Sequence, residues 1–200
     1  MLKTNTSGLI QSMVADSIRI KTAFFSENAD RIAEVAEVMA HGFKAGHKVL
    51  IFGNGGSAAD AQHIAAEFVG RFIVERGPLP AMSLSTDTSM LTAIGNDYGF
   101  ENVFARQVSA HGQAGDTAIG ISTSGNSPNV LLGLETARKK GLYTVGLTGE
   151  SGGKMADVAE VLFKVPSSYT PRIQETHIMI GHIICELIDS LLIPAVTPRA

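Results

Sequence analysis

A chain of 200 residues, 44% hydrophobic and 18% charged, has the composition of a folded protein built on one sizeable core, and two full domains are not expected. Its net charge of −3, with Lys and Arg scattered, provides no basic stripe and argues against nucleic acid or anionic lipid as a direct ligand. Cys185 is the only cysteine, which excludes an intrachain disulfide and a cysteine-based zinc site and fits a reducing, cytoplasmic location. The first twenty residues lack the continuous apolar stretch of an export signal, and no apolar run is long enough to span a bilayer, so no membrane association is expected.

In chain order, Ile10, Met13, Ile18 and Phe25 mark one amphipathic helix over 8–25, and Ile32, Val35, Val38 and Met39 a second over 28–45. Lys48–Phe52, apolar after its lysine and with β-branched Val49 and Ile51, ends at Gly53, as expected of a strand buried on both faces of a parallel sheet. A helix follows over 57–71, then a short strand over 81–84 and helices over 88–94 and 102–110. A strand over 117–122, a helix over 128–140, strands over 143–147 and 161–165, and a long helix over 173–192 complete the pattern. This alternation predicts an α/β fold, a parallel sheet covered by helices on both faces and joined by right-handed crossovers. Two helices ahead of the first strand belong to no βα unit, so residues 1–46 either pack in an oligomer or cap the monomer's own core.

Two strand-end loops suit an anion. Gly53-Asn54-Gly55-Gly56-Ser57 joins the first buried strand to a helix, where small residues let backbone N–H groups approach a ligand at a positive helix terminus. The segment also satisfies the dinucleotide fingerprint G-x-G-x-x-A, but there an acidic residue should close the next strand about twenty residues on, whereas here the nearest candidate, Asp87 after Leu84, lies too far along. Ser122-Thr123-Ser124-Gly125-Asn126-Ser127 again links strand to helix and offers four hydroxyls, which together with backbone donors can surround a phosphate monoester without Lys or Arg. The plainer reading of either loop is capping and turn formation; two at successive sheet ends favour phosphate.

These loops, with AQHIAAEF at 61–68, GNDYGF at 95–100, LTGESGGKMA at 147–156, and RIQETH at 172–177 followed by His182, resemble the sugar isomerase (SIS) family and, within it, the phosphoheptose isomerases. The resemblance spans nearly the whole chain from the second predicted helix. It implies a flavodoxin-like three-layer SIS fold as one domain over 1–200, a homotetramer with active sites at subunit interfaces, and one Zn2+ per subunit. It further implies conversion of sedoheptulose 7-phosphate to D-glycero-D-manno-heptose 7-phosphate, the first step of ADP-heptose synthesis for lipopolysaccharide or other surface glycans. By position, Asn54, Gly55, Gly56, Ser57, Glu67, Asn96, Asp97, Ser122, Thr123, Ser124, Ser127 and Gln174 correspond to substrate contacts. His63, Glu67, Gln174 and His182 correspond to zinc ligands, with Glu67 and His182 as the proton-transfer pair. Pro171 departs from the family, which carries an aspartate there near the substrate.

The chemistry fits. Aldose–ketose exchange through an enediol needs a base near C1 and C2, a group that moves hydroxyl protons and stabilisation of charge on oxygen. His63 and Glu67, four residues apart, share one helix face, a spacing that serves a metal or an ordinary surface pair alike. Gln174 and His182 stand roughly 12 Å apart along a straight helix, so their ligands come from one subunit or two. His177 receives no role; His41, His47, His111, Glu175 and Glu186 are expected to be solvated, and the Met residues to fill the core. The competing function within the family is a non-catalytic tetramer that binds the bacterial replication initiator; retention of Glu67 and His182 weighs against it.

Overall fold

The computed structural model describes residues 6–193, in which five strands form one parallel sheet. Its elements are α1 (Thr6–Lys44), β1 (Val49–Gly53), α2 (Gly56–Val69), β2 (Ala81–Ser83), α3 (Thr88–Tyr98), α4 (Val103–His111), β3 (Thr117–Ile121), α5 (Pro128–Lys139), β4 (Tyr143–Thr148), β5 (Val161–Lys164) and α6 (Thr170–Leu192). The strand order β2-β1-β3-β4-β5 is the flavodoxin-like order, reversing direction between β1 and β3.

Alternate residues of each strand feed two cores. Val49 and Ile51 of β1 point into a layer built with α1, α2 and α6, around Phe24, Ile32, Met39, Phe68, Ile180 and Ile184. Leu50 and Phe52 point the other way, to Phe104, Val108, Val130 and Leu134 of α4 and α5. Burial on both faces is why the strands read as unbroken apolar runs. The expected α/β three-layer fold is therefore observed.

The expected pair of N-terminal helices is instead one helix of 39 residues. The polar residues at the expected boundary are absorbed into it: Ser26 Oγ donates to the Thr22 carbonyl (2.7 Å) and Asn28 Nδ2 to the Phe24 carbonyl (2.8 Å). With no Gly or Pro between Gly8 and Gly42, nothing interrupts the ladder. Only the part from Ile20 onward buries an apolar stripe; Leu9, Ile10, Met13, Val14 and Ile18 are exposed.

Three smaller differences matter for the site. The third helix runs on to Tyr98, where Gly99 at φ 87° stops it, so Asn96 and Asp97 lie on a helix rather than a loop. The last helix starts at Thr170, with Pro171 in the first turn, where its missing N–H costs no helical bond. Glu175, expected to be solvated, accepts from Ser17 Oγ of α1 at 2.6 Å and pairs with Arg172.

Candidate active site

The loops after β1 and β3 leave the sheet on either side of the point where strand order reverses, the position at which open α/β sheets open a crevice for ligands. A reciprocal amide pair joins them: Asn54 Nδ2 donates to Asn129 Oδ1 and Asn129 Nδ2 to Asn54 Oδ1, both at 2.9 Å. Asn129 is buried and its Oδ1 also accepts from the Val130 N–H (3.0 Å). Sequence reasoning missed Asn129; its only signal was its place in the first turn of the helix that follows the serine-rich loop. In that loop Ser122 Oγ lies 2.8 Å from Ser127 Oγ and 3.4 Å from Ser124 Oγ. Ser127 stands at the N-cap of α5, yet its hydroxyl turns to Ser122 and makes no capping bond; Pro128 has no N–H to cap, and the Val130 N–H is served by Asn129 Oδ1 instead. Gly125, at φ 66°, admits no side chain, since a Cβ there would meet the Gly152 carbonyl oxygen at 2.1 Å. Thr123 holds the loop from the other side, its carbonyl accepting from the Gly149 N–H at 3.0 Å.

Gly55 (φ 56°) turns the first loop into α2, and Ser57 is buried in its first turn. The side-chain amide of Gln174 lies over this turn, so close that a Cβ on Gly56 would stand 2.5 Å from its Nε2. From there α2 and α6 run side by side in the same direction, Gly181 receiving Ile64, which brings His182 beside His63.

The result is a cluster of three ligand-type atoms. His63 Nε2 lies 3.0 Å from Glu67 Oε1 and 3.2 Å from His182 Nε2, and all three atoms lie within 4.8 Å of one another. One nitrogen cannot satisfy both neighbours with a single proton, whereas a cation among the three satisfies them together. Ligand atoms roughly 2.0–2.1 Å from a tetrahedral zinc stand about 3.3 Å apart, close to these spacings. Burial, with His63 nearby, lowers the pKa of His182 against the pull of Glu67, keeping its lone pair free at neutral pH. Phe72 stacks on the His182 ring at 5.5 Å and 25°. His63 and Glu67 border an open groove with Gln62, Val69, Ser83 and Thr86.

Not every sequence candidate joins this arrangement. Three of the four zinc-ligand candidates converge; Gln174 sits at Gly56, two turns of α2 before His63. Asn96 and Asp97 are exposed on α3, with Asn96 Nδ2 donating to Asp97 Oδ1 at 2.8 Å. Asp87 caps α3, its Oδ1 accepting from the Met90 N–H at 2.8 Å, a structural task that accounts for it without a dinucleotide. His47 is not simply solvated: its Nδ1 lies 3.7 Å from Asp116, which also binds Lys48. His177 is buried, its Nε2 3.2 Å from the Thr148 carbonyl.

Comparison with known proteins places this geometry in context. A family model described as SIS domain matches residues 14–149. The phosphoheptose isomerase of Aquifex aeolicus (strain VF5) is 55% identical over 183 residues, 92% of this chain and 96% of the relative. Among solved structures, a phosphoheptose isomerase from Francisella tularensis superposes with a TM-score of 0.89 at 37% identity, covering 94% of this chain and all of the other. Its counterpart from Neisseria gonorrhoeae gives 0.87 at 45%, covering 93% of this chain and all of the other. The chain belongs to the SIS-domain family, and within it to the phosphoheptose isomerases.

Proposed function

We propose that the protein converts sedoheptulose 7-phosphate to D-glycero-D-manno-heptose 7-phosphate, the opening step of ADP-heptose synthesis, in the cytoplasm. The observation that carries this reading is the convergence of His63, Glu67 and His182 two turns along the helix that begins at a phosphate-type loop. A sugar whose phosphate is remote from its carbonyl can then rest its phosphate at the serine loop while its first carbons reach the cluster. Ser122, Thr123, Ser124 and Ser127 hold the phosphate through their hydroxyls at the positive N-terminal end of α5. Asn54, Gly55, Gly56, Ser57 and Gln174 line its approach, and Asn96 and Asp97 serve as further substrate contacts.

His63, Glu67 and His182 would hold a Zn2+ ion, which when bound polarises the carbonyl and stabilises charge on the neighbouring oxygens. Gln174 becomes a fourth ligand only if its amide swings off Gly56 or meets another subunit's ion. Glu67, whose Oε1 faces His63, takes the proton from C1 and returns it at C2. His182, neutral at neutral pH, moves the hydroxyl proton between O1 and O2. The one lone pair of neutral His182 would serve either the ion or the hydroxyl proton, not both at once. A homotetramer with active sites at its interfaces is part of the proposal, supported by the uncovered apolar stripe at the start of α1.

The test is turnover of sedoheptulose 7-phosphate by the purified protein, with and without a chelator, beside Glu67→Gln and His182→Ala. Aldose phosphate forms, the chelator stops it and added zinc restores it; each substitution lowers kcat about 10²–10⁴-fold in a folded protein. Absence of turnover by zinc-loaded wild type that still binds the sugar phosphate would sink the reading.

A further inference from the structure

Behind the His63–Glu67–His182 cluster lies a buried ion pair that the reaction itself does not use. Arg76 belongs to the irregular segment between α2 and β2, yet its side chain turns inward and is only 4% exposed. Every nitrogen of the guanidinium has a different task. Nε donates to Asp189 Oδ1 at 2.6 Å, Nη1 to the Phe68 carbonyl at 2.8 Å and the Gly77 carbonyl at 3.1 Å, and Nη2 to the Glu67 carbonyl at 3.0 Å. The Glu67 and Phe68 carbonyls lie in the last turn of α2, which ends at Val69 and so cannot supply them with helical partners. Asp189 lies on α6 two turns after His182 and is 3% exposed. One planar side chain thus ties the backbone that carries Glu67 to the helix that carries His182.

We propose that Arg76 and Asp189 are positioning residues for the metal centre, fixing the C-terminal turn of α2 against α6 so that Glu67, His63 and His182 converge. The inference rests on the metal centre proposed above. Stability alone is a poor reason for such a pair. Burying two charges is costly, well-packed apolar residues of similar volume usually serve a core as well, and Asp189 Oδ2 has no hydrogen-bond partner. An apolar pair, however, cannot hold two carbonyls and a carboxylate in one plane, and a lysine, a point charge without a fork, cannot either. The same segment touches the centre a second time through Phe72, stacked on His182.

The experiment compares the full-length wild type with Arg76→Lys and with the double variant Arg76→Met/Asp189→Leu. Zinc affinity is measured by competition with a chromophoric chelator, kcat and KM with sedoheptulose 7-phosphate, and folding by thermal unfolding of metal-free protein. The double variant leaves no orphaned charge but removes the donor to the Glu67 carbonyl, and is expected to stay folded with an unfolding temperature below that of the wild type. Its zinc affinity is expected to fall about 10–100-fold, as for the loss of groups that support metal ligands, with kcat reduced and KM little changed. Arg76→Lys, which keeps the charge, is expected to shift the same quantities in the same direction and serves if the double variant does not fold. Wild-type zinc affinity and kcat in a folded variant would reduce the pair to a structural role and overturn the proposal. If the wild type turns over substrate and binds zinc while the variants match it, this inference alone falls; if the wild type binds no zinc, the metal centre falls and takes this inference with it.

Discussion

Asn129 and Asn54 exchange two hydrogen bonds across the crevice, making the two anion loops one unit rather than two flexible turns. Neither side chain can be removed without leaving the other's amide unpaired, and Asn129 is buried where water cannot replace the loss. Asn129→Leu keeps the approximate shape and is expected to destabilise the fold by about 1–3 kcal/mol. It is also expected to raise KM for the sugar phosphate several-fold, because Asn54 loses its anchor. Thermal melts and steady-state kinetics check both; an unchanged KM in a destabilised variant would confine Asn129 to folding.

At the scale of the element, α6 has two working faces. One presents His182 to α2; the other buries His177, whose Nε2 meets the Thr148 carbonyl at the end of β4. Burial pushes the His177 pKa down to about 4, against the opposing effect of that hydrogen bond. The folded state therefore prefers neutral His177, while the unfolded chain takes up a proton near 6.5. Its contribution to stability is complete above pH 6.5 and is lost as pH falls from there towards 4, an effect on the order of 3 kcal/mol. Asp60 and His177 line one small apolar cavity between α2, α6 and the sheet, and burial raises the Asp60 pKa against the pull of His63. His177→Gln, which can still donate to Thr148, is expected to flatten the loss of thermal stability between pH 7 and 4. An identical slope in the variant would remove His177 as its cause.

Across the whole molecule, the first turns of α1 stand out as having little to pack on inside a single chain. They carry Leu9, Ile10, Met13, Val14 and Ile18, all at least 44% exposed and adjoining a groove with Lys21 and Arg172. Such a stripe is apolar surface awaiting a neighbour. Ile18→Asp on a truly exposed position would change stability by no more than about 0.5 kcal/mol. With the helix packed in a homotetramer, the same substitution is expected to lower the mass seen by light scattering, and turnover with it if active sites form at the interfaces. Unchanged mass would place the subunit contacts elsewhere.

The parallel α/β fold was legible in the sequence alone, because strands buried on both faces are short runs without charged residues, rich in Val, Ile and Leu. The sequence also singled out the two loops after β1 and β3, because glycine and small hydroxyl residues at strand ends are what close backbone approach to an anion would require. His63 and Glu67 were legible as one helix-face pair, since their spacing is local. The continuity of α1 was not legible, because Ser26 and Asn28 favour a break or a back-bonded helix according to what the rest of the helix packs against. Nor was the company His182 keeps: it meets His63 only because α2 and α6 lie alongside each other, 119 positions apart in the chain. Arg76 and Asp189 had no signature, and Asn129 only its place after the serine-rich loop, since an Asn in a helix's first turn, an Arg in a loop or an Asp on a helix reads as ordinary surface until the fold buries it. Spacing along a chain reports what one element can present, whereas the partners of a side chain are chosen by which elements the sheet brings together.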